Sequence, residues 1–192
     1  MAGQDQQEDN RMTAHRMSED TLRTLNRDLR VLIDTDGTLT RMLRIVYRDE
    51  IEVSIISQRV RQAAAISIPE FDGLTGRILD RQILLRGRNS GIPFIAAESL
   101  IAIDLLPASI TNLLTETNRP IGEIIAASRL ETYKEPVTVW IDELPTWTGL
   151  GNYPSDRPRV IKRRYCVTSG GQAVLVITEY FLRHQVEATT NA

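Results

Sequence analysis

The stretch GRILDRQILLRGRNSGIPFIAAESLIAI, residues 76–103, decides the fold class. It contains two apolar runs on either side of the polar segment RNSG at residues 88–91, a composition typical of a tight turn. Two apolar runs joined in this way predict a β-hairpin, whose strands are antiparallel. A second hairpin is predicted at residues 159–183, where two further apolar runs flank SGGQ at residues 169–172. The two hairpins together favour an antiparallel sheet.

Outside the hairpins, the periodicity of apolar residues changes along the chain. Residues 50–60 alternate as in a strand, residues 129–141 form a further predicted strand, and residues 61–76 and 144–158 are predicted loops rich in Pro and Gly. Leucines at spacings of three and four predict an amphipathic helix of about 13 residues starting at Ser18. Shorter helices are predicted around residues 39–46, 107–117 and 120–128.

These elements predict an α+β protein with a single six-stranded antiparallel sheet and helices packed on it. Residues 1–17 are polar and are interpreted as a disordered tail. Residues 18–183 are predicted to form one domain, and residues 184–192 are interpreted as a polar tail.

Composition excludes several classes of protein. The 192 residues carry a formal net charge of −2, whereas a nucleic-acid binder normally has a basic surface. One cysteine, Cys166, and two distant histidines, His15 and His184, leave little material for a metal site or a Ser-His-Asp triad. No apolar run reaches the roughly 20 residues that span a bilayer, and no signal-peptide pattern opens the chain. We therefore expect a cytoplasmic protein with no metal, membrane or nucleic-acid partner, and the sequence leaves its oligomeric state open.

Charged residues interrupt apolar strand faces at three positions. Successive strand residues point to opposite faces, so Arg81 shares a face with Ile83 and Leu85. Glu179 likewise lies among odd-numbered apolar residues of its strand, and Glu98 lies among even-numbered ones. Burying such charges is costly unless they are paired or bind a ligand. The pattern is therefore consistent with a pocket, with a structural Arg–Glu pair, or with a solvated face.

Three other features have simpler interpretations. The segment IDTDGTLT at residues 33–40 matches the D-x-D-G-T motif of magnesium-dependent haloacid-dehalogenase-type phosphatases. That motif follows a buried strand, whereas the preceding leucines have helical spacing, so a helix-terminating turn is the preferred interpretation. Cys166 is interpreted as a small buried residue, and Arg163 and Arg164 as a solvated strand edge.

Several motifs resemble those of a known family when they are taken in order. They are DRQILLRGRNS at residues 80–90, AAESLIA at 96–102, RPIGEI at 119–124, and SGGQ at 169–172 followed by VITEYFL at 176–182. In sequence and spacing they resemble chorismate pyruvate-lyases, also called 4-hydroxybenzoate synthases. The resemblance is stronger to the bacterial branch linked with 4-hydroxybenzoate-derived glycolipids than to the ubiquinone-pathway branch.

The resemblance implies a six-stranded antiparallel sheet, a buried product site under flap-like segments, and no cofactor. It implies that Arg81 and Glu179 are the charged catalytic and substrate-binding residues of the site, and that Leu39 and Ile121 contribute backbone contacts. Whether Glu179 acts as a base or only as an anchor is left open by the sequence. Glu98 stands where the ubiquinone branch has an arginine, which leaves open how the enolpyruvyl carboxylate of chorismate is held.

The activity expected from this resemblance is a lyase reaction that converts chorismate to 4-hydroxybenzoate and pyruvate. Two alternatives remain at this point. One is a non-catalytic effector-sensing module of the same fold, since fold does not determine function. The other is the phosphatase suggested by the motif at residues 33–40.

Overall fold

A computed structural model describes residues 17–36, 38–150 and 158–186 of the chain. Within these residues, one antiparallel sheet has the strand order β1-β2-β3-β7-β6-β4, and β5 also pairs with β6. Both predicted hairpins are present, and they lie side by side because β3 pairs with β7. The strands are β1 Ile51–Gln62, β2 Arg77–Gly87, β3 Pro93–Ala102, β4 Tyr133–Lys134, β5 Thr138–Glu143, β6 Arg159–Ser169 and β7 Gln172–Val186.

The helices are short, and the predicted N-terminal helix is divided in two. Leu25 is extended, with φ −64° and ψ 152°, and it ends the first helix. The Asn26 side chain then accepts a hydrogen bond from the backbone N–H of Leu29 at 2.8 Å and caps the second helix. The helices are α1 Glu19–Thr24, α2 Arg27–Asp34, α3 Leu39–Tyr47, α4 Ala108–Glu116 and α5 Ile121–Ala127.

The two faces of the sheet are covered differently. On one face, Ile83 and Leu85 pack with residues of α2 and α3, and Leu79 packs with residues of α4 and α5. On the opposite face, Ile78 packs against Phe71, and Leu84 packs in a cluster that Trp147 adjoins. The segments predicted as loops at residues 61–76 and 144–158 therefore supply the cover of this second face. Residues 151–157 of the second loop lie outside the described residues.

The ends of the domain differ slightly from the expectation. Met17 is buried and packs in the main core, and its backbone N–H donates to the Val139 carbonyl at 2.9 Å. Strand β7 continues to Val186, three residues beyond the predicted domain end. Residues 1–16 and 187–192 lie outside the described residues.

Strand β1 forms one edge of the sheet and carries charge along it. Arg59 and Arg61 approach the Asp80 carboxylate on β2 at 3.4 and 3.3 Å. Both arginine side chains are exposed. The edge strand is therefore tied to its neighbour by ion pairs as well as by backbone hydrogen bonds.

The turn between β2 and β3 is organised by Asp49. Its carboxylate accepts hydrogen bonds from the backbone N–H groups of Asn89 and Ser90 at 3.1 and 3.0 Å, and from the Asn89 side-chain amide at 2.8 Å. A hydrogen bond from the Ser90 side chain is the largest cause that lowers the pKa of Asp49. Together with the bonds from Asn89 and the Ser90 backbone, it brings this pKa to about 2. A Cβ at Gly87 would collide with the Asp49 carboxylate, so this close approach requires glycine.

We predict that Asp49→Asn lowers the melting temperature at pH 7. We also expect the melting temperature of this variant to fall less than that of the wild type as the pH is lowered. The pKa of Asp49 is lower in the folded chain, so the carboxylate stabilises the fold above roughly pH 4 and loses this effect as the pH falls towards 2. Thermal unfolding followed by circular dichroism at pH 7, 4 and 2.5 measures both effects. Asp72→Asn, at an exposed position, is the control; an equal response of the two variants would contradict the prediction.

Candidate active site

A cavity of about 300 Å³ lies between the sheet and the beginnings of α3 and α5. Its volume suits a small organic molecule, and its walls are mainly apolar with a few polar groups. The sheet contributes Ile83, Leu85, Ala97, Ser99, Tyr165, Val167, Leu175, Ile177 and Glu179. The helices and loops contribute Asp36, Thr38, Leu39, Thr40, Pro120, Ile121, Gly122, Ile125, Ala126 and Thr132, and the short strand β4 contributes Lys134.

The predicted backbone contacts lie at two helix beginnings that face this cavity. Leu39 is the first residue of α3 and Ile121 is the first residue of α5, and both line the cavity. N–H groups in the first turn of a helix have no partner inside that helix. The two beginnings approach closely, since a Cβ at Gly122 would lie 3.1 Å from the Thr38 methyl group.

Glu179 lines the cavity from β7 and is only 5% exposed. Arg163, opposite it on β6, donates from Nε to Glu179 Oε2. The Tyr165 hydroxyl lies 3.4 Å from Glu179 Oε1. The carboxyl group is therefore buried and oriented by two neighbours, and the structural Arg–Glu pair that the sequence left open is present.

Arg163 is 1% exposed, so its interpretation as part of a solvated edge is wrong. Strand β6 is internal, because β7 pairs on one side and β4 and β5 pair on the other. Arg163 Nη1 donates to the carbonyls of Leu32 and Ile33 at 2.8 and 2.6 Å, near the C-terminal end of α2. Burial alone lowers the pKa of Arg163, but the charge of Glu179, its hydrogen bond to Arg163 and the contributions of Tyr165 and Asp34 together raise that pKa above its usual value.

Arg164 also departs from the solvated-edge interpretation. It points to the opposite face and pairs with Glu70 at 2.9 Å, with both side chains about three-quarters buried. Adjacent residues of one strand thus place two ion pairs on the two faces of the sheet.

Arg81 is the second predicted charged residue, and it is buried without a carboxylate. Its side chain is on β2 and is only 2% exposed. Nη1 and Nη2 lie 3.4 and 3.5 Å from the carbonyls of Arg119 and Thr117, and Nε has no hydrogen-bond partner within the described residues. Burial lowers the pKa of Arg81, and no charged neighbour counteracts it.

The structure brings Arg81 to the border of the cavity but does not make it part of the wall. Its cross-strand partner Ser99 and its strand neighbour Ile83 both line the cavity. Ser99 pairs in turn with Ile177, two residues before Glu179. Strand spacing therefore separates Arg81 and Glu179 by about 10 Å across the sheet and about 7 Å along it.

Lys134, which no sequence motif singled out, lines the same cavity from β4. Its ammonium group lies 4.4 Å from the centre of the Tyr165 ring and donates to the Thr35 carbonyl at 2.8 Å. Burial is the main cause that lowers the pKa of Lys134. The available signal was its rarity, since Lys134 and Lys162 are the only lysines among 23 basic residues.

Glu98 lies on the opposite face of the sheet and takes no part in the cavity. It accepts a hydrogen bond from the Trp147 indole N–H, and burial raises its pKa. Cys166 is buried as expected, and burial raises the pKa of its thiol to about 11.

The structural context of a phosphatase motif is missing at residues 33–36. Asp34 ends helix α2, where the motif requires a buried strand. Among the described residues, no group of three or more His, Cys, Asp or Glu side chains could hold a metal ion. In the same part of the chain, no helix is long and apolar enough to cross a membrane.

Comparison with known proteins identifies the family. Residues 33–189 match the family model described as "Chorismate pyruvate-lyase Rv2949c-like". The chain belongs to this family. It is 52% identical over 179 residues to the chorismate pyruvate-lyase of Mycobacterium leprae (strain TN), a match that covers 93% of this chain and 85% of that protein. It is 51% identical over 176 residues to the chorismate pyruvate-lyase of Mycobacterium tuberculosis (strain CDC 1551 / Oshkosh), a match that covers 90% of this chain and 88% of the relative.

Solved structures of other proteins share the fold of this chorismate pyruvate-lyase family member. The C-terminal domain of histidine utilization repressor from Pseudomonas syringae pv. tomato matches with a TM-score of 0.51 and 15% identity, over 74% of this chain and 100% of that chain. PhnF from Mycobacterium smegmatis matches with a TM-score of 0.54 and 9% identity, over 80% of this chain and 67% of that chain. The predicted α+β fold with one antiparallel sheet is confirmed.

We predict that Arg163→Met destabilises the protein by about 3–5 kcal/mol, because it leaves the buried Glu179 carboxylate without its partner. Arg164→Met is the control on the adjacent residue, where loss of the less deeply buried pair with Glu70 is expected to cost less than loss of the pair with Glu179. Urea unfolding of both variants measures the free energies. Equal losses in the two variants would contradict the prediction.

Proposed function

We propose that this chain converts chorismate to 4-hydroxybenzoate and pyruvate in the cavity beneath α3 and α5, without a cofactor. One observation carries the proposal. A buried cation without a carboxylate partner, Arg81, and an oriented carboxylate, Glu179, border one mainly apolar cavity. The chain in which they occur is 52% identical to a protein named chorismate pyruvate-lyase.

The reaction needs positioning more than covalent assistance. The C4–H bond of the ring breaks, and its electron pair forms the C3–C4 double bond that completes the aromatic ring. The C3–O bond breaks, and its electron pair leaves with the enolpyruvate oxygen. Enolpyruvate takes up one proton at its methylene carbon to become pyruvate, which balances the proton lost from C4. Orientation and electrostatic stabilisation are the contributions expected of the protein.

Arg81 is proposed to bind the carboxylate on the ring. Its planar guanidinium donates two parallel hydrogen bonds to such a group. A bound carboxylate would supply the counter-charge that the described residues do not provide, and Nε would gain its missing acceptor. The neighbouring Ser99 and Ile83 connect this position to the cavity.

Glu179 is proposed to accept a hydrogen bond from the 4-hydroxyl group. Arg163 and Tyr165 each occupy a lone pair of the carboxylate, which has about four, so acceptor capacity remains on the cavity side. Leu39 and Ile121 are proposed to contribute backbone N–H groups from the first turns of α3 and α5. The apolar walls exclude water from the reacting ring.

Incubation of the protein with chorismate in the presence of EDTA tests this function. We expect equimolar 4-hydroxybenzoate and pyruvate, measured by chromatography and by a coupled lactate dehydrogenase assay. Binding of chorismate without turnover would instead support a sensing module. Turnover that requires magnesium and is lost in Asp34→Asn would support the phosphatase-type motif.

We predict that Arg81→Ala lowers kcat/KM for chorismate by more than about 100-fold, or ~3 kcal/mol, because it removes a buried charged contact. Arg81→Lys should lie between this variant and the wild type, since lysine cannot donate in the same planar geometry. Steady-state kinetics measure both. Arg77→Ala, at an exposed position on the same strand, is the control; a folded Arg81→Ala protein with kcat/KM like this control would remove Arg81 from the site.

We predict that Glu179→Gln weakens the binding of 4-hydroxybenzoate by about 10-fold, because a charged acceptor to the hydroxyl is lost. In this role kcat falls much less than the ~100-fold or more typical of a lost general acid or base. Isothermal titration and steady-state kinetics separate the two effects. A fall in kcat of that larger size, with unchanged product affinity, would assign Glu179 to proton transfer instead.

A further inference from the structure

The proposed function leaves one anionic group of the substrate without a partner. Chorismate has a carboxylate on its ring and another on its enolpyruvyl side chain, and Arg81 accounts only for the first. Glu179 cannot serve the second, because it is itself a carboxylate and its charge is matched by Arg163. A second cation in or beside the cavity would match the charge of this carboxylate.

Lys134 has the position that such a cation requires. Its strand, β4, lies beyond β6 and β7 as seen from Arg81, so Glu179 on β7 lies between the two cations. Lys134 pairs across the ladder with Val167, and both residues line the cavity. The ammonium group lies against the ring of Tyr165, and the hydroxyl group of the same tyrosine contacts Glu179.

The charge of Lys134 is balanced within the described residues only at a distance, by Glu179 and by Asp36. In the described part of the chain, its one ion pair is with Asp36 at 4.0 Å, and the Asp36 side chain is 97% exposed. Its hydrogen bond to the Thr35 carbonyl uses one of three N–H donors. The side chain is only 18% exposed. Lys134 is therefore a largely desolvated cation, and its remaining N–H groups can donate to a ligand.

We propose that Lys134 binds the carboxylate of the enolpyruvyl group and stabilises the enolpyruvate as it leaves. The inference rests on the proposed function. The side chains of the site then supply one partner for each carboxylate and for the hydroxyl group of the substrate: Arg81 for the ring carboxylate, Glu179 for the 4-hydroxyl and Lys134 for the side-chain carboxylate. Negative charge develops on the ether oxygen when the C3–O bond breaks, and a nearby ammonium group stabilises that charge.

The role predicts a selective effect of Lys134→Gln. Chorismate carries the enolpyruvyl group, whereas 4-hydroxybenzoate does not. We expect kcat/KM for chorismate to fall by about 100-fold, the scale for a lost buried charged contact. The dissociation constant for 4-hydroxybenzoate should stay within about twofold of the wild type, because that ligand does not reach Lys134. Lys134→Arg, which keeps the charge, should recover part of the activity.

Lys162→Gln is the matched control. Lys162 is equally buried and also lies over an aromatic ring, 4.7 Å from the centre of Trp140. It projects from the opposite face of the sheet and already has a close carboxylate, Asp142 at 2.9 Å. Its loss should leave kcat/KM for chorismate unchanged. Parallel losses of chorismate turnover and 4-hydroxybenzoate affinity in Lys134→Gln, or no loss of either, would overturn the proposal.

A second measurement covers the case in which Lys134→Gln does not fold. Reductive methylation with ¹³C-formaldehyde labels both lysines and keeps their charge, and Lys134→Arg assigns the two side-chain signals. We expect added pyruvate to shift the Lys134 signal saturably while the Lys162 signal stays in place. The absence of a saturable shift would overturn the proposal. Failure of the proposed function is distinct, since the unmodified wild-type protein would then form no 4-hydroxybenzoate.

Discussion

The buried ion pair between Arg163 and Glu179 is the interaction on which the rest of the site depends. It joins the two strands of the C-terminal hairpin, and Arg163 also binds the last carbonyls of α2. One guanidinium thus ties the sheet to the helical layer and fixes a carboxylate at the cavity wall. Replacing such a pair with apolar residues often costs little stability, so stability alone does not explain it. Its consequence for function is a charged acceptor with a single orientation.

Sequence periodicity is sufficient where a strand is long and regular. Alternation in β2 and β7 predicts that Arg81 and Glu179 each lie among apolar side chains, and the register of β3 with both strands places the two residues on one face of the sheet. The hairpins are equally accessible from the sequence, because their turns carry glycine and polar residues in the expected positions. These parts follow from local sterics and from the alternation of side chains between the two faces of the sheet.

The remaining features depend on contacts that are distant in sequence. Arg163 and Arg164 are adjacent, and nothing local shows that β4 and β5 pair along the outer side of their strand. Lys134 lies in a strand of two residues, too short to produce a period. The helix break at Leu25 is by contrast a local effect: the Asn26 side chain competes for a backbone donor, which a leucine pattern does not reveal.

The charged edge of the sheet bears on how the protein behaves at high concentration. Among the described residues β1 pairs on one side only, and an edge strand of 12 residues is a template on which another chain could add a strand. Arg59 and Arg61 stand along that edge, and both belong to an ion-pair cluster with Asp80. A second copy approaching strand to strand would bring like charges together and would have to desolvate them. The charges along this edge therefore oppose strand-to-strand aggregation. No residue of β1, a strand that the structure describes in full, lines the cavity, so these charges lie apart from the cavity wall.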